Sequence, residues 1–511
     1  MTRSCGRNRG REYSTERATA PIAAGRKAVT TRRDILATLP FLALSGAAGQ
    51  LLLGAGPAVA QDTGANPAPL GRDLVVRRGI EAMIWGMPAV NRDLMYQAML
   101  RETAGRANQM LYWSQLLDWK NQTLTPNTDV IYLTPYFDTR EVGPVVLEIP
   151  PADDGAINGT IMDAWQMPLE DVGPAGADGG KGGRYVILPP GYAEAVPDGF
   201  IVLPSLTWTG YALLRSILRS GSDADIAKAV EYGKRIRVYP LSQAANPPAT
   251  VQVDANGVLY DATIPYDLRF YESLDRVVQT EPWLERDRAM IDTLRTIGIE
   301  KGKPFAPDAG VKAALEEAAA QAHALLDAKL EASLETRWAE NSRWSFPASQ
   351  AYITAAQSGY ADPDSYPIDD RGVVFTFAFF TPKRLGEGQF YLMVAGDGAG
   401  RPLDGAGTYR LTVPADAPVR QYWSATVYDR RTHALVREMP HAARSSQSPG
   451  LQVNADGSVD LTFGPEAPAG KEANWVPTSA GGRFEVLFRF YGPEQALLEK
   501  TWVLPDIEAA A

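Results

Sequence analysis

Cysteine is almost absent from this sequence: of 511 residues, only Cys5 carries a thiol. Histidine is nearly as scarce, with His323, His433 and His441 alone. Sites built from several histidines are therefore nearly excluded. Past Cys5 there is no residue for a disulfide, a catalytic thiolate, a zinc–thiolate centre or an iron–sulfur cluster. Three sequence signatures are missing as well. No G-x-S-x-G elbow occurs, which disfavours an α/β-hydrolase. No dinucleotide fingerprint follows a strand. The glycine-rich stretch from Gly176 to Gly183 places Gly182 after Lys181, which breaks the spacing of a phosphate loop. No cofactor is indicated by any motif, and no fixed-period repeat is visible.

What is present is an ordinary globular mixture, 45% hydrophobic and 22% charged, long enough for two or three cores. With 46 Gly, 38 Pro, 15 Phe, 11 Trp and 21 Tyr, it leans toward strands and turns. The formal net charge is −10. The first sixty residues differ from the rest. A basic segment ends in Thr31-Arg32-Arg33-Asp34, small apolar residues run from Ala37, and Ala58-Val59-Ala60 closes the stretch. This pattern predicts a twin-arginine signal peptide over 1–60 and a periplasmic or secreted location. Pro40, Gly46, Gly49, Gly54 and Pro57 make the same stretch a poor permanent span, so no stable membrane span is expected after cleavage. Residues 1–60 hold nine Arg and Lys against three acids, so the remainder is near −16 and free of cysteine. Such acidity argues against nucleic acid or anionic lipid as a partner.

Along the rest, residues 61–75 read as an exposed leader. Helical spacing over 73–103 is interrupted by Gly86 and Pro88, which predicts two helices meeting at a bend. Short apolar runs at 130–133, 145–149, 159–162, 185–188 and 200–203 predict successive antiparallel strands. Residues 213–218 and 223–235 read as helix, and 282–339 as mostly helical. Strands return at 373–380, 389–394, 408–413, 421–428, 458–463 and 484–491. The expected fold is mainly β with helical inserts (α+β): two antiparallel β-sandwich or jelly-roll-like domains, 76–280 and 351–511, joined by a helical connector at 281–350.

Eight phrases in order carry a resemblance. They are Thr125-Pro126-Asn127-Thr128-Asp129-Val130-Ile131-Tyr132, Gly143-Pro144-Val145-Val146-Leu147-Glu148-Ile149-Pro150, Gly183-Arg184-Tyr185, and Ile297-Gly298-Ile299 with Gly302-Lys303-Pro304-Phe305. The second half adds Pro402-Leu403-Asp404-Gly405, Tyr422-Trp423-Ser424, Asn454-Ala455-Asp456-Gly457-Ser458 and Lys471-Glu472-Ala473-Asn474-Trp475-Val476-Pro477. Together they resemble the bacterial family that pairs domains of unknown function 1254 and 1214, from about residue 75 to 505. The resemblance implies a two-β-domain fold with helical inserts, often exported, and no settled reaction.

Candidate site residues come from two polar phrases. Asn127 and Asp129 can bind a cation or sugar hydroxyls, with Tyr132 as a platform or proton donor. The same residues also suit a Pro-Asn-Thr-Asp turn bonded to its own backbone. Asp163 and Trp165 can join that group, with Arg184 as an anion clamp, although an Asp–Arg pair inside a sandwich is as often structural. Lys471 and Glu472 can act as acid and base, with Asn474 and Trp475 against a ligand ring, or the phrase is a surface loop pinned by one tryptophan. Asp254-x-Asn256-Gly257 and Asn454-x-Asp456-Gly457 lack the remaining ligands of a calcium loop and read as hairpin turns. His433 and His441 fall on a loop, as solvated histidines or as base or metal ligands. His323 is expected to be exposed.

Two functional readings follow. One is an envelope protein binding a small or glycan-like ligand between two β domains. The other is an exported hydrolase or lyase, metal-assisted or not, using Asp129 with Asp163 or Glu472. The second needs carboxylates converging on one pocket.

Overall fold

The computed structural model describes residues 69–379, 381–384 and 388–510. The predicted signal peptide and the first part of the predicted leader lie outside these residues. Alternation of side chains decides the architecture. In the first half, strands Gln109–Tyr112, Val130–Asp138, Thr209–Ile217, Ile157–Asp163 and Pro168–Val172 form a sheet, with Gln252–Asp254 on its edge. A second sheet holds Arg237–Pro240, Val145–Ile149, Gly183–Leu188 and Ile201–Pro204. Ile131, Leu133, Ala212 and Leu214 of the first share one buried cluster with Val145, Leu147, Ile149, Tyr185 and Ile187 of the second. The intervening residues, Val130, Tyr132, Tyr136, Tyr211 and Leu213, face the other way.

The second half repeats the device. The sheet of Gln389–Val394, Phe484–Pro493, Val419–Asp429 and Ala443–Ser445 packs on one containing Tyr409–Val413, Val459–Gly464 and Trp475–Pro477. Val486, Phe488 and Phe490 enter the core with Trp423, Ala425, Leu411, Leu461 and Phe463. Each such side chain contributes about 1.5–3 kcal/mol when fully buried. Glu485, Leu487, Arg489 and Tyr491 alternate with them and so face away from that core. The result is a mainly β fold with helical inserts and, among the described residues, no closed barrel. Antiparallel pairing dominates, but four strand pairs at sheet edges are parallel.

Helices fill the space beside the two sandwiches. Residues 69–75 of the expected leader are helical, and 73–103 is one helix, Pro69–Glu102, with Pro88 inside it. Its centre is buried on every side, so packing outweighs the proline. Pro88 has no N–H for the carbonyl of Ile84. The backbone of Gly372 comes close to that carbonyl, where a Cβ would sit 3.0 Å from it. Helix Ala309–Leu334, capped by Asp308 on the Val311 N–H at 2.8 Å, crosses at Gly79. A Cβ on Gly79 would lie 2.6 Å from that of Ala318. The connector helices thus share a core with the first helix, and the described residues belong to one compact unit.

Two local readings are corrected. Residues 373–377, expected as strand, end the helix Ile368–Phe377, whose residues 371–377 are buried on all sides, with the helix packed against Pro69–Glu102 and Ala309–Leu334. A stretch buried all round, as Val373–Phe377 is, carries no period for sequence to show. Residues 213–217, expected as helix, finish the strand Thr209–Ile217, whose both faces are buried. Among the described residues, no helix is long and apolar enough to cross a membrane.

Candidate functional site

The outward faces of the two main sheets do not touch everywhere. Between them, roofed by helices Gln350–Gln357 and Ile368–Phe377, lies a cleft of about 710 Å³. Most of its wall is apolar: Phe346, Ile353, Ala356, Val374, Phe377, Phe379, Phe390 and Leu487. That volume and lining fall within the range of ordinary small-molecule sites.

The polar groups gather on strands from both halves. Arg215 and Tyr132 are cross-strand partners in the first half. The Arg215 Nε lies 3.4 Å from the Tyr132 hydroxyl, and its guanidinium sits 5.4 Å from the ring centroid. From the second half come Tyr391 and Arg489, paired in register on adjacent strands. Arg489 is 1% exposed. It donates to Thr426 Oγ1 at 2.9 Å, to the Thr125 carbonyl at 2.9 Å and to the Tyr428 hydroxyl at 2.6 Å. Its Nε has no hydrogen-bond partner among the described residues, and the Tyr391 hydroxyl lies near that of Tyr491. Burial pushes the Tyr391 hydroxyl above its ordinary pKa, so it stays a donor at neutral pH.

The loop before Val130 is fastened to the second half. Thr125, at φ +37°, donates its N–H to the His433 carbonyl at 2.6 Å and its hydroxyl to the Phe377 carbonyl at 2.7 Å. Asn127 donates through Nδ2 to the Tyr491 hydroxyl. Its Oδ1 accepts the Asp129 N–H at 2.9 Å, and its own N–H reaches the Tyr132 hydroxyl at 3.1 Å. The Asx turn expected from sequence is there, and so is the approach to a cavity: Asn127 and Tyr132 both line the cleft.

The other candidates lie elsewhere. Asp129 does not line the cleft. Its buried carboxyl faces Ser424, Ser445, Arg444 and Arg489, and burial holds its pKa above the ordinary value despite those arginines. Asp163 caps a turn, accepting the N–H groups of Trp165 at 2.8 Å and Met167 at 2.9 Å. Its pKa is raised by burial, opposed by Arg286 and Arg371 rather than by Arg184. Trp165 packs on Trp85, with ring centroids 4.6 Å apart. Arg184 lies over Phe200 at 4.3 Å, on the strand Gly183–Leu188. Lys471 and Glu472 are exposed, and Glu472 accepts the Gly470 N–H at 3.0 Å. Asn474 ties the loop down through Gln452 and the Asp460 carbonyl, and Trp475 donates to Gly464 O at 2.8 Å. None of these lines the cleft.

The histidines are likewise structural in setting. His433 is buried, with Nδ1 2.7 Å from Glu485 Oε1. Arg430 links Glu485 to Asp327 and Glu331. His441 meets the Trp475 carbonyl at 2.8 Å, and His323 is half-buried, stacked on Tyr266 at 3.7 Å. Among the described residues, no cluster of three His, Cys, Asp or Glu side chains is placed to hold a metal.

Arg215, Tyr391 and Arg489 were not among the sequence candidates. The signal was present: in Phe484-Glu485-Val486-Leu487-Phe488-Arg489-Phe490-Tyr491, the residues alternating with core aromatics include two charges and a tyrosine. Only a second body covering that face explains a buried arginine there.

Comparison with known proteins agrees with this layout. The model described as a protein of unknown function, DUF1254, matches residues 107–240. Its counterpart DUF1214 matches residues 388–495. The crystal structure of the VPA0106 protein from Vibrio parahaemolyticus aligns over 86% of this chain and all of its own, at TM-score 0.53 and 18% identity. A putative uncharacterized protein from Burkholderia cenocepacia aligns over 86% of this chain and 94% of its own, at TM-score 0.37 and 12% identity. No curated protein matches the chain. The first-half sandwich and the second-half sheet that meet at the cleft coincide with the two matched segments, and the chain belongs to the proteins that pair domains of unknown function 1254 and 1214.

Proposed function

We propose that the protein binds a small, largely apolar molecule in the cleft between its two β halves, in a compartment reached by twin-arginine export. One observation carries the first part: a cleft of about 710 Å³ with apolar walls ends on buried polar side chains from both halves. A glycan would leave most of its hydroxyls facing phenylalanine, isoleucine and leucine, so the walls favour an apolar ligand over a sugar. The carboxylate-enzyme reading has less support. Asp129, Asp163 and Glu472 have separate surroundings, and none lines the cleft.

The test uses neutral probes. Nile red or decan-1-ol should bind the wild type, and affinity in an alcohol series should rise about fourfold per added CH₂, the equivalent of about 0.8 kcal/mol. Ala348→Trp, which adds an indole to the half-buried wall, should abolish binding without unfolding the protein. Binding that survives in Ala348→Trp places the ligand elsewhere and defeats the reading. For export, replacing Arg32 and Arg33 by lysine should strand a reporter fused to residues 1–60 in the cytoplasm. Undiminished export refutes that part.

A further inference from the structure

We infer that the molecule bound in this cleft carries an uncharged carbonyl oxygen, a ketone's or an ester's, which accepts the hydroxyl proton of Tyr132. The inference rests on the cleft being a binding site, as proposed above, and adds the polar group its ligand brings. A phenol hydroxyl has one proton to give and two lone pairs with which to receive. At Tyr132 both lone pairs are engaged. The backbone N–H of Asn127 donates to the hydroxyl oxygen at 3.1 Å, and the Nε–H of Arg215 reaches it at 3.4 Å. Neither partner can accept in return, since amide and guanidinium N–H groups only donate. The Tyr132 proton therefore has no acceptor among the described residues. Asn127, Arg215 and Tyr132 all line the cleft, so a hydroxyl held between the first two has that space left for its proton.

The saturated oxygen decides the chemistry of what it meets. An alcohol or amine that offers its own proton finds no lone pair left at Tyr132. An alcohol that accepts instead carries a proton of its own, which then faces Phe377, Phe390 and Leu487 unpaired, at the cost of burying a polar group. A carbonyl oxygen takes the proton and brings none. A carboxylate presents about four lone-pair sites, more than one phenol serves. Donation from a guanidinium also polarises the phenol and strengthens its O–H as a donor. The donor is fixed in place before any ligand arrives. Tyr132 is 3% exposed and faces Arg215 across the strands Val130–Asp138 and Thr209–Ile217, and Asn127 is pinned to the second half through the Tyr491 hydroxyl.

Displacement of Nile red from the full chain by octan-2-one, methyl heptanoate and 2-methyloct-1-ene tests this. The alkene copies the ketone with CH₂ in place of oxygen. Tyr132→Phe should weaken the ketone or the ester about three- to tenfold, the worth of one neutral hydrogen bond, and leave the alkene unchanged. The carbonyl that loses more names the class as ketone or ester. A Tyr132 that only supports the fold would weaken all three probes alike, which overturns the inference, as does a variant that weakens none. If Tyr132→Phe does not fold, infrared spectroscopy of the wild type decides. The stretch of bound octan-2-one with an isotope-labelled carbonyl should fall below its value in hexane, and an unshifted band overturns the inference. A shifted band that persists in Ala348→Trp places the carbonyl outside the cleft and overturns it too. Displacement by the alkene alone removes the carbonyl while leaving the apolar cleft standing. If neither the dye nor any probe binds, both readings fall together.

Discussion

Replacing Asp129 by asparagine should stabilise the protein at neutral pH and do nothing at low pH. The residue is half-buried, its Oδ2 is shut off from solvent, and burial raises the carboxyl's pKa from 3.8 in spite of Arg489 and Arg444. A folded-state pKa above the unfolded one makes a stabilising contribution that is complete below pH 3.8 and is lost as pH rises through the folded value. Once pH passes that folded value, the ionised carboxylate weakens the fold by about 1.4 kcal/mol for each unit of elevation. Asparagine keeps the shape, removes the charge and offers donors to the Ser424 and Ser445 hydroxyls. Urea denaturation at pH 7 should show a higher midpoint for Asp129→Asn at unchanged slope, and the gap should close as pH falls toward 4. A variant that is less stable at pH 7, or a stability difference independent of pH, would refute the account of Asp129 as a poorly compensated buried acid.

Other perturbations follow from the packing. Gly79→Ala should destabilise by about 1–2 kcal/mol, the overpacking against Ala318 exceeding the helix-propensity gain of about 1 kcal/mol. Pairing it with Ala318→Gly should recover most of that loss; strictly additive effects in denaturation would contradict the 2.6 Å approach. Glu485→Ala leaves buried His433 without its carboxylate partner, while Arg430 keeps Asp327 and Glu331, and should cost about 1–3 kcal/mol by the same assay. Asn474→Ala removes bonds to Gln452 and Asp460 and should cost about 2–3 kcal/mol while leaving probe affinity intact. Weakened cleft binding in Asn474→Ala would restore the Lys471–Trp475 loop to the site.

How much of this was readable in advance depended on whether a signal was local. Strands at 145–149 and 389–394 match their expected bounds, because alternation or short apolar runs between turns are properties of neighbours in sequence. Helix Ile368–Phe377 was missed because β-branched and aromatic residues favour strand, although Pro367 and the acids Asp369 and Asp370 mark a helix start. In the site, Asn127 and Tyr132 were found through a compact polar phrase. Arg215 and Arg489 were not, since neither belongs to a compact polar phrase. Their meaning arises only when the halves close on each other. The Lys471–Trp475 phrase misled for the opposite reason: polar residues close in sequence satisfied one another and left nothing for a ligand.

The hydrogen bond between Arg489 and the Thr125 carbonyl joins residues 364 positions apart. One wall of the cleft therefore waits, during folding, for a segment made long after the other. Until the strand Phe484–Pro493 docks, Tyr132 and Arg215 have no opposite wall, and no ligand can be enclosed. Contacts of such long sequence separation form slowly, since the loop they close must be paid for in entropy first. A ligand can then assist only the last step of assembly, by holding the docked state. Its effect should appear as slower unfolding rather than faster folding.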